Sequence, residues 1–319
     1  MSIVSLRGGP QLKRCVATLQ RACAGLTWRL TLVDNSPNGL DHTSCFRGLP
    51  DSVVLRSEGR RGFGANQNLA LARVVHERRA RYVLVLNDDA ELGDLAVTTL
   101  VRYADQRPRA GAISPVIRDL QGSLEPSIVA WPRLSSLALS CALPSRPRRK
   151  TATEGWLNGA CMLVRTAALA QVGLFDPRYF LYYEETDLCR RMARAGWQLE
   201  QCAGAVVVHH RRQSTMLAGS ALEIDEQILR SGYLYFRKHH GRLAARSFNG
   251  LVRCGLLART AKAAVEDAAG RGAGGVSSTG RLWALTRFRP SRPTRFEIEA
   301  QANVQQSLTR LRTACRTGR

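Results

Sequence analysis

The segment Tyr82-Val83-Leu84-Val85-Leu86-Asn87-Asp88-Asp89 constrains this chain more than any other. An apolar run, β-branched and aromatic in part, stops abruptly at two adjacent aspartates, and its length suits a buried strand. A strand that ends in carboxylates delivers them to the carboxyl edge of a sheet, where open α/β folds bind ligands. Hard oxygen donors at that edge suit Mg2+ or Mn2+, ions that in turn hold phosphates. Asn and Asp also populate ordinary solvated turns, so the neighbouring segments must decide between the two readings.

Those neighbours alternate. Short strands are predicted over 3–6, 28–33, 52–56 and 110–117, and helical spacing over 11–24, 66–79 and 95–106. Such alternation implies an α/β fold, a mainly parallel sheet covered by helices. Residues 119–154 are less regular. They hold four prolines and an apolar stretch over 134–143 beside Arg146, Arg148, Arg149 and Lys150. That stretch reads as a buried connector with a solvated basic end, in preference to a loop on a membrane surface. A strand-like 155–164, a short helix over 166–172, an Arg-rich helix over 184–196 and a strand over 198–208 follow.

The expected division is an α/β domain over 1–222, which carries the candidate ligand-binding edge, and a helical, basic extension over 223–267. A Gly/Ser-rich flexible linker over 268–280 and a basic tail over 281–319 complete it.

The chain has 319 residues and a net charge of +22. The length allows one large domain with an appendage, or two domains. The charge favours polyanionic partners: nucleic acid, an anionic leaflet or a phosphorylated substrate. Arginine-rich composition also follows from genomic base bias, so the charge supports a phosphate-bearing substrate without identifying one. No apolar run approaches the ~18 residues of a membrane span, and no long apolar leader opens the chain. The expected location is therefore cytoplasmic, with peripheral contact at the inner face of the membrane. Nine cysteines without a Cys-x-x-Cys pair suggest reduced, mostly buried thiols.

Further segments carry candidate chemistry. Asp34 and Asn35 end a predicted strand; an aspartate there can accept from a nucleobase ring N–H, although an Asx-turn has the same look. Arg61-Gly62-Phe63-Gly64-Ala65-Asn66-Gln67-Asn68 offers two glycines for close backbone approach and a helix N-terminus for an anion. It departs from the dinucleotide fingerprint, whose third glycine is here Gln67. Glu184-Glu185-Thr186-Asp187 follows a run of aromatics. Three carboxylates in four positions repel one another unless solvated, metal-bound or paired, and one of them under aromatic rings can gain a raised pKa and serve as a base. Acids also favour a helix start for its dipole alone. His209 and His210 follow an apolar run and can complete a metal site.

The order of these pieces resembles a known family. Val33-Asp34-Asn35-Ser36 precedes Gly62-Phe63-Gly64-Ala65-Asn66, then Leu86-Asn87-Asp88-Asp89, Trp156-Leu157-Asn158-Gly159-Ala160, Tyr183-Glu184-Glu185-Thr186-Asp187-Leu188 and His209. Over about residues 2–240 the chain is similar to inverting glycosyltransferases of family 2 with the GT-A fold, a Rossmann-like α/β architecture. Among these it looks closest to bacterial rhamnosyltransferase-like members.

The resemblance implies roles. Asp34 would contact the donor's base with Asn35 beside it, and Gly62, Gly64 and Asn66 would border the nucleotide. Asn87 and Asp88 would lie at the donor, and Asp89 and His209 would hold Mn2+ or Mg2+. Gly159 would line the sugar or acceptor pocket. Glu185 would be the catalytic base, flanked by the ligand-facing Glu184 and Asp187. The expected partners are a dTDP- or UDP-sugar donor and a cell-envelope glycan or polyprenyl-diphosphate-linked acceptor.

Departures are visible. The family's opening strand usually ends in Thr/Ser-Tyr-Asn, which here is Ser5-Leu6-Arg7, and a glutamate stands at the base position usually held by aspartate. The doubled His209-His210 leaves the ligand assignment open by one residue. Two other readings compete with an active, metal-dependent transferase. One is an inactive GT-A scaffold that binds nucleic acid or an anionic membrane; the joint presence of Asp89, Glu185 and His209 weighs against it. The other is a nucleotidyltransferase, of which Arg7-Gly8-Gly9 with Lys13 gives only a faint echo.

Overall fold

The computed structural model describes residues 1–300 apart from 7, 37–38, 40–48, 50, 60, 79, 143–154, 211–219 and 269–275. Its elements run β1 (Ser2–Ser5), α1 (Gly9–Ala22), β2 (Leu30–Asp34), β3 (Ser52–Arg56), α2 (Phe63–Glu77), β4 (Tyr82–Asn87), β5 (Ala90–Leu92), α3 (Ala96–Asp105), β6 (Ala110–Arg118) and β7 (Leu124–Glu125). There follow β8 (Ile128–Ala130), α4 (Leu134–Ala142), β9 (Gly155–Leu157), β10 (Cys161–Arg165), α5 (Thr166–Val172), α6 (Glu184–Arg194), β11 (Gln198–His209), α7 (Ala221–Ala268) and α8 (Val276–Arg287).

The alternation of side chains along β4 sets the layers. Leu84 and Leu86 pack with Leu12, Cys15 and Leu19 of α1 and Leu100 of α3. Val83 and Val85 face the opposite way, against Leu71 of α2, Leu169 of α5 and Leu188 and Met192 of α6. A strand covered on both faces must be apolar throughout, which explains the uninterrupted run before Asp88. In α1 the buried residues Leu12, Cys15, Val16, Leu19 and Ala22 form one stripe, and a proline sits in the first turn, where its missing N–H costs nothing.

The main sheet has the order β3-β2-β1-β4-β10-β6-β11-β5, with β7 added to β6. The first four strands are parallel, as the alternation implies. The sheet as a whole is mixed, because β10 enters antiparallel to both β4 and β6, and β5 antiparallel to β11. The strand-like stretch 155–164 is two strands: β9 pairs with β8 in a separate two-stranded sheet, and Asn158-Gly159-Ala160 turns the chain into β10. Register aligns the site. Ser5 pairs with Asp34, Val4 with Asn87, and His209 with Ala90, so chemistry-bearing residues collect at one edge.

A third cluster lies under α7, where Tyr235, Phe236 and Phe248 pack with Tyr179 and with Leu134 and Leu137 of α4. The apolar stretch over 134–143 is thus in part a helix against α7, while its basic neighbours at 146–150 lie outside the described residues. Gly241, at φ 88° and ψ 178°, breaks α7 into two helical halves. The linker expectation needs correction over its described part. Ala268 ends α7 and 276–280 open α8, so helix flanks 269–275 on both sides. Residues 281–300 pack back onto the body: Phe296 is buried, stacked on Phe180 at 5.3 Å. Residues 301–319 lie outside the described residues. Among the described residues, no helix is long and apolar enough to cross a membrane.

Candidate active site

The carboxyl ends of β1 and β4, the turn before β10, the start of α6 and the end of β11 surround a cleft of about 490 Å3. One wall is a knot of asparagines. Asn66 is buried; its amide donates to Asn35 Oδ1 at 2.6 Å and to Arg61 O at 3.2 Å, and its Oδ1 accepts from Ser57 Oγ at 2.6 Å. Asn35 Nδ2 donates to Gly59 O at 3.0 Å. One buried amide pair therefore fixes the end of β2 to the loop that opens α2.

Gly62 requires its lack of a side chain: a Cβ there would lie 2.2 Å from Phe180 O, the carbonyl that accepts Phe63 N at 2.9 Å. Gly64 is similar, with Phe175 Cβ 2.9 Å from where its own Cβ would stand. Asn68 donates to Phe175 O at 2.8 Å and accepts from Phe175 N at 3.0 Å, a two-point clasp between α2 and the 175–183 segment.

The acidic wall begins where β4 ends. Asp88 accepts from Ser5 Oγ at 2.6 Å. Asp89 is buried, and its Oδ1 stands 3.4 Å from His209 Nε2, a charge contact short of hydrogen-bond geometry that leaves this oxygen without a donor. His209 Nδ1 lies 3.4 Å from Glu125 Oε2. Burial alone lowers the imidazole pKa, but Asp89 and Glu125 outweigh it and hold it above the ordinary value. His210 turns to Glu91, at 2.8 Å, and only its backbone N–H reaches Asp89, at the carbonyl. Of the two histidines, His209 faces the cleft.

The N-terminus of α6 supplies a further part of the lining. Tyr182 and Tyr183 both adopt φ 67°, left-handed backbone that costs a non-glycine residue energy and is retained only where its surroundings enforce it. This turn delivers Glu184 and Glu185 to the cleft, each with a buried Oε2 that has no hydrogen-bond partner. Burial pushes the Glu185 carboxyl up to about 7, and burial together with Glu185 raises Glu184 as well. A Cβ on Gly159 would stand 3.5 Å from Glu185 Oε1, so the absent side chain leaves room beside this carboxylate.

Of the residues expected from sequence, Asn35, Asn66, Asn87, Asp88, Asp89, Gly159, Glu184, Glu185 and His209 line the cleft. Gly62 and Gly64 stand behind it, in backbone packing. Asp34 and Asp187 lie outside the cleft lining. Asp34 accepts from Ser36 and from Arg56 Nη1 at 2.6 Å, outside the cleft lining, and it is Asn35 that faces in. Asp187, fully buried, points away: it accepts from His239 at 2.7 Å and Arg191 at 2.8 Å and lies 2.6 Å from Lys238. Burial raises its carboxyl, but hydrogen bonds from His239 and Lys238 and the charges of Arg191 and Lys238 outweigh it and hold it below the ordinary value. Glu125 and Ile228 line the cleft and had no sequence signal. Glu125 is a lone acid in an aperiodic stretch, marked only by its tertiary meeting with His209.

A sequence profile described as "Glycosyltransferase like family 2" matches residues 4–224, a span that contains almost every residue lining this cleft. The chain belongs to glycosyltransferase family 2. This family 2 member is 33% identical over 233 residues, 66% of the chain and 76% of the relative, to N-acetylglucosaminyl-diphospho-decaprenol L-rhamnosyltransferase of Mycobacterium tuberculosis. It is 31% identical over 165 residues, 48% of the chain and 62% of the relative, to rhamnosyltransferase WbbL of Escherichia coli.

Solved structures show the same fold at low identity. Mannosyltransferase PcManGT from Pyrobaculum calidifontis, in complex with GDP-Man and Mn2+, superposes with TM-score 0.51 at 16% identity, covering 96% of this chain and 86% of that one. GalNAc-T7 with UDP, GalNAc and Mn2+ gives TM-score 0.53 at 15% identity, covering 76% of this chain and 50% of that one. The family 2 chain thus spans half the length of GalNAc-T7.

Among the described residues, no three His, Cys, Asp or Glu side chains form a ready metal cluster. The donor set nevertheless fits a hard divalent ion. Asp89 Oδ1 is a buried anionic oxygen without a donor, with an imidazole nitrogen beside it. Mg2+ and similar ions are commonly held by one or two protein groups, with substrate phosphates completing the shell.

Proposed function

We propose that this family 2 enzyme transfers a hexose, rhamnose in the reading its relatives favour, from a dTDP- or UDP-linked donor to a hydroxyl of a lipid-diphosphate-linked glycan, with inversion. The observation that carries this reading is the presence of two acidic sites in the lining of one cleft. Glu185, its carboxyl raised by burial, lies beside Gly159, and Asp89 lies beside His209.

Inversion needs one in-line displacement. The acceptor oxygen bonds to the anomeric carbon as the bond to the diphosphate breaks, and the hydroxyl proton passes to a base. Glu185 is assigned that proton, at Oε1 or Oε2. Asp89 and His209 would hold Mn2+ or Mg2+, which neutralises charge on a diphosphate leaving group. Asn35 and the loop 61–66 border the nucleotide. Leu6 stands at this edge in place of the family's usual tyrosine and offers apolar contact without a ring.

The acceptor class rests on the M. tuberculosis relative, whose name specifies a decaprenol diphosphate. Contact with an anionic leaflet is supported by the second half of α7. Leu243, Leu257 and Val265 are exposed there within about 80° of arc at 3.6 residues per turn. Arg242, Arg246 and Arg253 lie along one flank of the stripe, an interfacial pattern. The alternative of an inactive scaffold that binds nucleic acid finds no support in the cleft or in the relatives.

The test is a transfer assay on the full chain. Polyprenyl-diphospho-N-acetylglucosamine is supplied with dTDP-rhamnose or with UDP-sugars, and with Mn2+, Mg2+ or EDTA. Metal-dependent product from one donor supports the reading; no product from any donor, with a folded sample, removes it.

A further inference from the structure

The segment that delivers the two glutamates is held from outside the span that the family profile covers. Residues 180–183 are strained at Tyr182 and Tyr183 and lie directly before Glu184 and Glu185. Helix α7 and the 288–300 segment grip them through two contacts. The first is apolar: the Phe180 ring stacks on Phe296 with centroids 5.3 Å apart and planes 9° from parallel, and Phe296 is 1% exposed. The second is a buried relay: Thr294 Oγ1 donates to Gln227 Oε1 at 2.6 Å, Gln227 Nε2 donates to Ser231 Oγ at 3.0 Å, and Ser231 Oγ donates to Leu181 O at 2.8 Å.

The far end of this relay is itself anchored. Thr294 and Glu297 form a reciprocal cap, Thr294 N to Glu297 Oε2 and Glu297 N to Thr294 Oγ1, each 3.3 Å. Arg230 ties that cap to α7, with Nε 3.1 Å from Glu297 Oε2 and Nη1 2.9 Å from Pro290 O. Close packing of α7 itself against the segment leaves little room to relax: a Cβ on Gly232 would meet Tyr183 Oη at 3.2 Å and Phe248 Cζ at 2.7 Å.

We propose that Gln227, Ser231, Thr294 and Phe296 are positioning residues: they hold 180–183 in its left-handed turn and thereby set Glu185 against the acceptor side of the cleft. None touches the reacting atoms. The part of this inference that concerns the reaction rests on the transferase reading above; the holding of the turn does not. A carboxylate base must sit within hydrogen-bond reach of the proton it takes, and a displacement on the order of 1 Å can cost ~10²-fold in rate. Relaxed backbone at Tyr182 and Tyr183 is a direct route to such a displacement.

The test uses the full chain with Thr294→Val, which removes the hydroxyl at nearly constant shape, Thr294→Ser, which keeps it, and Phe296→Ala. Two quantities are read: amide hydrogen exchange across 176–186, and kcat beside the donor dissociation constant. The expected result is faster exchange over 180–185 in Thr294→Val and Phe296→Ala, and a kcat fall of about 10- to 100-fold. Donor affinity stays within about threefold, and Thr294→Ser restores both readouts. Unchanged exchange in both variants overturns the proposal, as does altered exchange with kcat intact. If the unsubstituted chain transfers no sugar from any donor, the transferase reading fails by itself, while the exchange data still decide whether the C-terminal segment holds the turn.

Discussion

Asp187 and His239 meet at 2.7 Å, Oδ1 to Nε2, in the buried seam between α6 and α7. This contact separates the acids of the Glu184–Asp187 stretch by task. The two glutamates face the cleft, while Asp187 bonds α6 to the helical extension through His239 and Lys238 and pairs with Arg191 one turn on in α6 itself. Removing one partner of a buried ionic cluster strands the others, at a cost of about 3–5 kcal/mol. Asp187→Ala is therefore expected to lower the urea midpoint sharply. If its stability matches that of the parent chain, the cluster contributes nothing to the seam.

Glu185→Gln separates chemistry from binding. The substitution preserves shape and removes the ability to take a proton. Donor affinity and thermal midpoint are expected to persist while transfer falls by about 10²-fold or more, the range of general-base contributions. In the parent chain the base is active only when ionised. Since burial raises this carboxyl to about 7, kcat should climb as pH rises through that value. A flat pH–rate profile between pH 5.5 and 8.5 would move the base elsewhere.

Asp89→Ala addresses the ion. The buried, donor-less Oδ1 is the feature of the cleft that best suits a divalent cation. Calorimetric titration with the cognate nucleoside diphosphate and Mn2+ should show affinity reduced at least tenfold, about 1.4 kcal/mol. The metal-free titration should change little. Equal loss with and without Mn2+ would point to a steric role for Asp89.

Much of this was legible in the sequence, for identifiable reasons. The run 82–86 is apolar because β4 is covered on both faces, and it stops at Asp88 because the sheet edge is where the cleft begins. Gly62 signalled close approach, and Phe180 O supplies it. Asp34 is ambiguous in the sequence because the residue types of an Asx-turn and of a base-binding carboxylate are identical; its contacts with Ser36 and Arg56 depend on tertiary position. Asp187 is ambiguous because a run of acids carries no directional information until α6 is placed, with its phase turning position 187 toward α7. The antiparallel entry of β10 has no local signal, since pairing direction depends on where the preceding chain has travelled. The capping pattern Thr294-Arg295-Phe296-Glu297 is present in the basic tail, but the sequence does not show which part of the body it packs against.

Gly62→Ala should be disproportionate for one methyl group. The added carbon would stand 2.2 Å from Phe180 O, a backbone atom that cannot rotate aside. Relief requires either α2 or the 180–183 turn to shift, and overpacking of this kind costs about 1–3 kcal/mol. Donor affinity is expected to fall with stability, because in the proposed function the same loop borders the nucleotide. Gly159→Ala is the contrast: its Cβ would meet Glu185 at ordinary contact distance, 3.5 Å, so the thermal midpoint should hold while acceptor use changes. Equal midpoints for both variants would show that the loop at Gly62 yields more easily than its packing implies.

Glu184 gives a stability prediction whose sign follows from burial. Its carboxyl is raised well above the ordinary value by burial and by Glu185, so the folded chain keeps a proton that the unfolded chain has already released. The native state therefore binds more protons over the interval from the ordinary glutamate value, near 4.3, up to the raised one. Stability contributed by this group is fully present below that interval and declines as pH rises through it. Glu184→Gln removes the titration while keeping the side chain's shape. Relative to the parent chain, the variant is expected to gain stability progressively from pH 5 to pH 8, read as a widening difference in urea midpoint. A difference that stays constant across that range would mean that Glu184 is ionised in the folded protein throughout, held by a cation that reaches Oε2 in solution.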